Sequence, residues 1–227
     1  LLATGSDGPA TVFDRDQLHI DHGHIPIQAL YPPAQVKLVR FDLAHTRTRI
    51  GYIPGAGDEG AEALRQVGYE VTMIPGDSLG NADLSRFEAI VIGVRAFNTV
   101  AALDANHGRL MEYVERGGVI VAQYATANRI SKVPPLLGPY PFEISQERVT
   151  DESAEVTALL PAHPTLSAPN RIGPADFQGW VQERGLYFAG KWDDRYEAPL
   201  GMNDPGEPQR KGSLLVARHG KGAFLYT

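Results

Sequence analysis

A chain of 227 residues with 43% hydrophobic content can bury a substantial core, as one elaborated domain or one and a half. A formal charge of −6, with Lys and Arg scattered rather than striped, argues against a general nucleic-acid surface, and no apolar run is long enough to span a membrane. Zero cysteines exclude disulfides, thiolate metal sites and cysteine catalysis, while leaving the compartment open.

The chain opens at Leu1 without a methionine or a signal-peptide pattern and stops at Thr227 directly after a strand-like run, so a piece of a longer protein is expected. Residues 1–45 mix Gly, Pro, Asp and His with short strand-like pieces such as Gln35-Val-Lys-Leu-Val-Arg40. They read as a β-rich lead-in or the end of a preceding module, ahead of an α/β domain over 46–227. His19, His22 and His24 are spaced i, i+3, i+5, which fits no familiar zinc ligand set, and no metal is assigned to them.

From Arg49 the pattern becomes regular. Ile50-Gly-Tyr-Ile-Pro54 is a short apolar strand that ends in Gly55-Ala-Gly57-Asp58-Glu59, with Asp58 placed to cap a helix. Ala61, Leu64 and Val67 recur at helical spacing and Gly68 stops them. Tyr69–Ile74 gives a second strand. Ala89-Ile-Val-Ile92 is apolar without a break, as in a strand covered on both faces. Leu110, Tyr113 and Val114 mark another helix, Gly117-Gly118 ends it, and Val119-Ile-Val-Ala122 follows as a strand. This alternation predicts an open, doubly wound, mostly parallel α/β sheet of the flavodoxin-like kind.

Beyond Lys132 the Pro-rich stretch Val133-Pro-Pro-Leu-Leu-Gly-Pro-Tyr-Pro-Phe142 is barred from a regular helix or a central strand, and reads as an excursion able to cover the crevice. Residues 154–160 are ambiguous between strand and helix, and Asp176–Phe188 is the densest mix of aromatic and charged side chains. Ser213–Ala217 and Ala223–Tyr226 flank Arg218-His-Gly-Lys-Gly222 as a hairpin.

A resemblance rests on six pieces: Arg49-Ile-Gly-Tyr-Ile-Pro-Gly-Ala-Gly-Asp58, Val94-Arg-Ala-Phe-Asn98, Gly117-Gly118 with Gln123-Tyr124, Leu137-Gly-Pro-Tyr-Pro-Phe142, Arg148-Val-Thr-Asp-Glu152 and Gly179-Trp-Val-Gln-Glu-Arg-Gly-Leu-Tyr-Phe188. From about His24 onward the chain resembles the region that follows the catalytic domain in long bacterial PIG-L/LmbE-type deacetylases. That resemblance implies a class I glutamine amidotransferase-like domain akin to the ThuA-like group, of which His163-Pro164 is a weaker echo. It further implies a zinc-dependent N-acetyl sugar deacetylase domain in the same polypeptide, an exported bacterial setting, and a helix after Tyr226-Thr227 that this chain lacks. The Ala-His-Pro-Asp-Asp-Glu type motif of the deacetylase does not occur here. Zinc and the deacetylase domain are thus expected outside these residues.

Amidotransferases attack a carboxamide with a cysteine held on a sharp strand-to-helix turn, which requires an activated thiolate. Ala122-Gln123-Tyr124-Ala125 stands at that point. A glutamine is no nucleophile and a phenol, with an ordinary pKa of about 10, is a poor one. Neither Ser131 nor Ser145 sits in a nucleophile-elbow sequence. No catalytic residue is assigned, and binding remains.

Ligands of open α/β sheets sit beyond the carboxyl ends of the strands. This places Gly55, Gly57 and Asp58 beside Arg95, Asn98, Gln123 and Tyr124 as candidate ligand-binding residues. The Gly-Ala-Gly loop can offer backbone N–H groups to an anion, or its glycines serve backbone shape alone. Arg95 is placed either to grip a carboxylate or phosphate or to pair with Asp58 or Glu183. Trp180 and Tyr187 can stack on a sugar while Gln182, Glu183 and Arg184 bind its hydroxyls; otherwise the aromatics anchor the loop. The expected function is a non-catalytic accessory domain binding carbohydrate or its partner deacetylase domain. The alternative is a cryptic hydrolase using Asp58, Glu183 or the histidines with a metal or water.

Overall fold

The computed structural model describes residues 14–35, 42–44 and 49–227, with the backbone of 2–3 and 11–12. The chain divides into two compact units, Leu1–Asp42 and Leu43–Thr227. In the first, β1 (Leu2–Ala3) pairs antiparallel with β2 (Thr11–Val12), and β3 (Leu18–Ile20) pairs antiparallel with β4 (Gln28–Leu30). His19 lies on β3 with its Nε2 2.6 Å from Gln17 Nε2, while the His22 and His24 rings stack on each other. The strand expected over Gln35–Arg40 lies outside the described residues apart from Gln35.

The second unit follows the alternation of the sequence. β5 (Arg49–Ile53) leads to α1 (Gly60–Gln66), then β6 (Glu70–Met73), β7 (Ala89–Ile92), the short α2 (Ala96–Thr99) and α3 (Ala102–Ala105), α4 (His107–Glu115) and β8 (Val119–Ala122). After β9 (Phe142–Ile144), β10 (Val156–Ala158) and α5 (Pro164–Ser167) come β11 (Ala189–Trp192), β12 (Tyr196–Glu197), β13 (Leu200–Met202) and the hairpin of β14 (Leu215–His219) and β15 (Gly222–Tyr226). Among the described residues no helix is long and apolar enough to cross a membrane.

Seven strands form the central sheet in the order β12-β14-β15-β8-β7-β5-β6. Strands β6, β5, β7, β8 and β15 run parallel, and β14 and β12 add antiparallel at one edge. The chain steps from β5 to β6 on one side and then returns past β5 to β7 on the other. Strand order therefore reverses at β5 and β7, which opens a crevice at their carboxyl ends.

The apolar alternation decides which sheet face is buried. Ile120 and Ala122 of β8 and Phe224 and Tyr226 of β15 turn inward, and they share one core cluster with Leu110, Met111 and Val114 of α4. The larger of these, such as Ile120, Leu110 and Phe224, each contribute about 1.5–3 kcal/mol when fully buried. Val119, Val121, Ala223 and Leu225 point the other way and stay half-buried. A smaller cluster of Val149, Ala154, Phe188 and Met202 packs under the segment before β11.

Two helix boundaries are set as their glycines suggest. Gly68 (φ 100°) closes α1 by donating to Arg65 O, and Gly117 (φ 116°) ends α4. Asp58 is not the capping residue itself. Glu59 holds that position without a side-chain hydrogen bond, and the Asp58 carboxylate instead accepts from Gly60 N at 3.1 Å. The ambiguous stretch 154–160 contains strand β10, paired with β13. The Pro-rich excursion ends in β9, which pairs antiparallel with β11.

Candidate functional site

The crevice begins with a buried tyrosine in the middle of an apolar strand. Tyr52 of β5 is 1% exposed, and its hydroxyl donates to Asp58 Oδ1 and reaches Gln123 Oε1 at 3.2 Å. Burial, reinforced by the Asp58 carboxylate, holds the Tyr52 phenol protonated well above its ordinary range. Asp58 Oδ2 lies over Gly93, where a Cβ would come within 2.5 Å of it. A Cβ at Gly55 would collide with the Val94 carbonyl, and the two loops are joined there by Ala56 N donating to Val94 O at 2.8 Å. The Gly55-Ala-Gly57 loop thus brings its own carboxylate to the first N–H of α1. An incoming anion would have to displace it.

The sharp turn expected at Gln123-Tyr124 is found one strand away. No helix follows β8, whose exit continues as irregular chain, with Gln123 N donating to Ile92 O at 2.9 Å. The left-handed residue at a strand-to-helix exit is Arg95 (φ 55°), between β7 and α2, and its N–H donates to Tyr124 O at 2.8 Å. Such a backbone costs roughly 1–3 kcal/mol for a side chain with a Cβ. Among the described residues Arg95 forms no ion pair with Asp58 or Glu183, and its Nε is buried without a hydrogen-bond partner.

Asn98 belongs to the scaffold. Its amide group donates to Thr126 O (2.8 Å) and Lys132 O (2.9 Å) and its carbonyl accepts from Thr126 N (2.9 Å), so one side chain fastens the loop after β8. Arg184 is likewise committed: Nε donates to Ala154 O at 2.8 Å, Nη1 donates to Phe177 O, and the guanidinium lies over the Trp180 ring. Trp180 Nε1 donates to Asp176 O at 3.2 Å, leaving the indole 43% exposed.

Residues 172–188 roof a cavity of about 570 Å3 beside the carboxyl ends of β8 and β15, within the size range of small-molecule sites. Tyr124, Trp180, Tyr187 and Tyr226 line it, together with Glu183 and Ser213. The Tyr124 and Tyr187 rings are parallel within 3° at 6.3 Å between centroids. Tyr226 joins the layers, since its hydroxyl accepts from Ala125 N (3.3 Å) and donates to Tyr187 O (3.4 Å), and burial pushes its phenol up to about 12. The Ser213 Oγ is buried and has no hydrogen-bond partner. Among the described residues, Arg95, Gln182 and Tyr187 are the non-glycine residues at positive φ, and all three lie in Tyr124's immediate surroundings or in the roof. Backbone strain of this kind collects where a structure holds a ligand or a catalytic group.

A larger cavity, about 940 Å3, lies against the half-buried face of β8 and β15. His163 borders it, but both ring nitrogens are engaged: Nδ1 accepts from Thr165 N at 3.2 Å and Nε2 meets Glu197 Oε2 at 3.2 Å. The remaining wall is largely aliphatic, so its size is not matched by convergent polar groups. Among the described residues no group of three His, Cys, Asp or Glu can hold a metal ion.

The site residues expected from sequence therefore separate. Asp58 and Gln123 join Tyr52 in a closed network, Arg95 touches Tyr124 through the backbone, and Trp180, Glu183 and Arg184 gather around the roofed cavity with Tyr124. Gly55, Gly57 and Asn98 shape or fasten loops. Sequence reasoning missed Tyr52, Ser213 and Tyr226; for the two tyrosines the available signal was a phenol near the carboxyl end of an apolar strand.

No protein-family model and no curated protein sequence matches the chain. Among solved structures it is similar to a GMP synthase subunit-like protein from Thermoplasma acidophilum (TM-score 0.47, 15% identity, covering 81% of this chain and 84% of that one). It is also similar to a ThuA-like protein from Bacteroides uniformis (0.42, 14%, 82% and 84%) and to the cold-adapted β-galactosidase from Rahnella sp. R3 (0.42, 16%, 79% and 28%). The chain thus spans under a third of the β-galactosidase. The fold itself is an open, mostly parallel α/β sheet. Likeness at this level carries no chemistry with it.

Proposed function

We propose that this chain is a non-catalytic accessory domain that binds carbohydrate in the roofed cavity and serves a PIG-L/LmbE-type N-acetyl sugar deacetylase domain of the same polypeptide. The observation that carries the binding half is the cavity itself: aromatic walls with a strained Tyr187 parallel to Tyr124. Sugars present an apolar ring face and a rim of hydroxyls, which suits aromatic walls with a few polar groups. The deacetylase half rests on the sequence resemblance alone, and zinc belongs to that other domain.

Hydrolysis has less support. Asp58 is bonded to Tyr52 and Gly60, whereas Glu183 borders a cavity that Asp58 does not line. A paired-carboxylate mechanism needs both groups facing one cleft. The test of the proposal is a thermal-shift titration with neutral, amino and N-acetyl sugars and their short oligomers, run on the chain and on Tyr124→Ala. Saturable stabilisation that Tyr124→Ala removes is expected, because a ligand of the native state raises its stability by mass action. Absence of any shift would contradict carbohydrate binding.

A further inference from the structure

The roofed cavity holds two carboxylates, one guanidinium and the orphan Ser213 hydroxyl, and their commitments differ. Asp176 Oδ2 accepts from Gly173 N at 2.7 Å and so closes its own turn. Arg184 is spent on two carbonyls and the Trp180 face. Glu183 is half-buried, and among the described residues no hydrogen bond or ion pair reaches its carboxylate. Neighbouring Gln182 is held at φ 78° with its N–H donating to Glu152 Oε2 at 2.7 Å, which anchors the backbone next to Glu183.

A carboxylate partly removed from water and lacking a counter-charge is costly, and the cost is removed when a cation binds beside it. Aromatic faces add to that preference, because their quadrupoles attract a positive group. The same walls give a neutral ring no comparable gain. Combining the unpaired Glu183 with the phenol-lined wall, we infer that the cavity selects a sugar ring carrying a protonated amine. Glu183 receives the ammonium. This inference rests on the carbohydrate reading and adds its specificity: a free amine is preferred over a hydroxyl or an acetamido group at the same carbon. A charge-assisted hydrogen bond is shorter and roughly twice as strong as a neutral one.

Isothermal titration of the chain with glucosamine, N-acetylglucosamine and glucose, and with their β-1,4-linked disaccharides, reads the preference directly. The amine series is expected to bind about tenfold more tightly than the other two, the equivalent of one charge-assisted contact. Glu183→Gln should erase that margin. A melting curve of the variant confirms that it still folds. Equal affinity for the three series, or an amine margin that survives Glu183→Gln, overturns the inference while the carbohydrate reading stands. No binding in any series overturns both.

Discussion

The carboxyl edge of the sheet contains two neighbouring polar regions with opposite chemistry. Around β5 and β7, Tyr52, Asp58, Gln123 and Gly60 satisfy one another, and glycines bring the two loops into contact. Beside β8 and β15, Ser213, Glu183 and the Nε of Arg95, whose backbone N–H donates to Tyr124 O, are unmet, and Arg95 and Tyr187 are strained. Buried polar groups in native proteins are nearly always paired, so an unpaired group marks something the fold alone does not explain. Polar residues at a strand exit are not by themselves a site. What separates scaffold from site is whether those residues already have partners.

Substitution should break this contrast in opposite directions. Gly55→Ala acts on the scaffold and has the largest effect: its methyl meets the Val94 carbonyl, so urea denaturation should show a loss of about 3 kcal/mol. Tyr52→Phe leaves Asp58 short of a donor and should cost about 1.5 kcal/mol in the same assay, with sugar binding intact. Ser213→Ala has the opposite sign. It removes an unsatisfied buried hydroxyl and should raise stability by about 1 kcal/mol. A loss of stability in Ser213→Ala would show that the hydroxyl is structurally engaged and would erase the contrast.

A further expected effect is alkaline. Tyr226 titrates near 10 when unfolded and is raised to about 12 by burial in the fold. Its contribution is complete below pH 10, and is lost as pH rises from about 10 through about 12, because the unfolded state gives up its proton first. Tyr52, raised in the same direction, extends that loss. Urea midpoints measured across this range should fall less steeply in Tyr226→Phe than in the parent chain.

Much of the scaffold was legible because its signals are local. Four short apolar runs, the stops at Gly68 and Gly117 and the terminal hairpin each depend on residues a few positions apart. The pairing of β9 with β11 was not legible, because proline content dominated the reading of the excursion and the partner strand lies far along the chain. The candidate site was legible only as a neighbourhood. Gln123, Tyr124, Trp180 and Glu183 were marked, yet Asn98 and Arg184 looked like ligand-binding groups when both hold backbone carbonyls. Polar side chains look alike in sequence whether their partner is a carbonyl or a ligand. Tyr52 was overlooked for the converse reason, since a phenol within an apolar strand reads as core.

The most direct test of the central claim uses the two tryptophans as position markers. Trp180 borders the roofed cavity and donates its indole N–H to Asp176 O, whereas Trp192 packs against the main core cluster. In 15N-labelled chain, with the indole signals assigned through Trp192→Phe, titration with glucosamine oligomers should shift the Trp180 indole resonance saturably and leave that of Trp192 in place. A saturable response that bypasses Trp180, or an unmoved Trp180 signal at sugar concentrations that stabilise the chain, would contradict the assignment of the ligand site to this cavity.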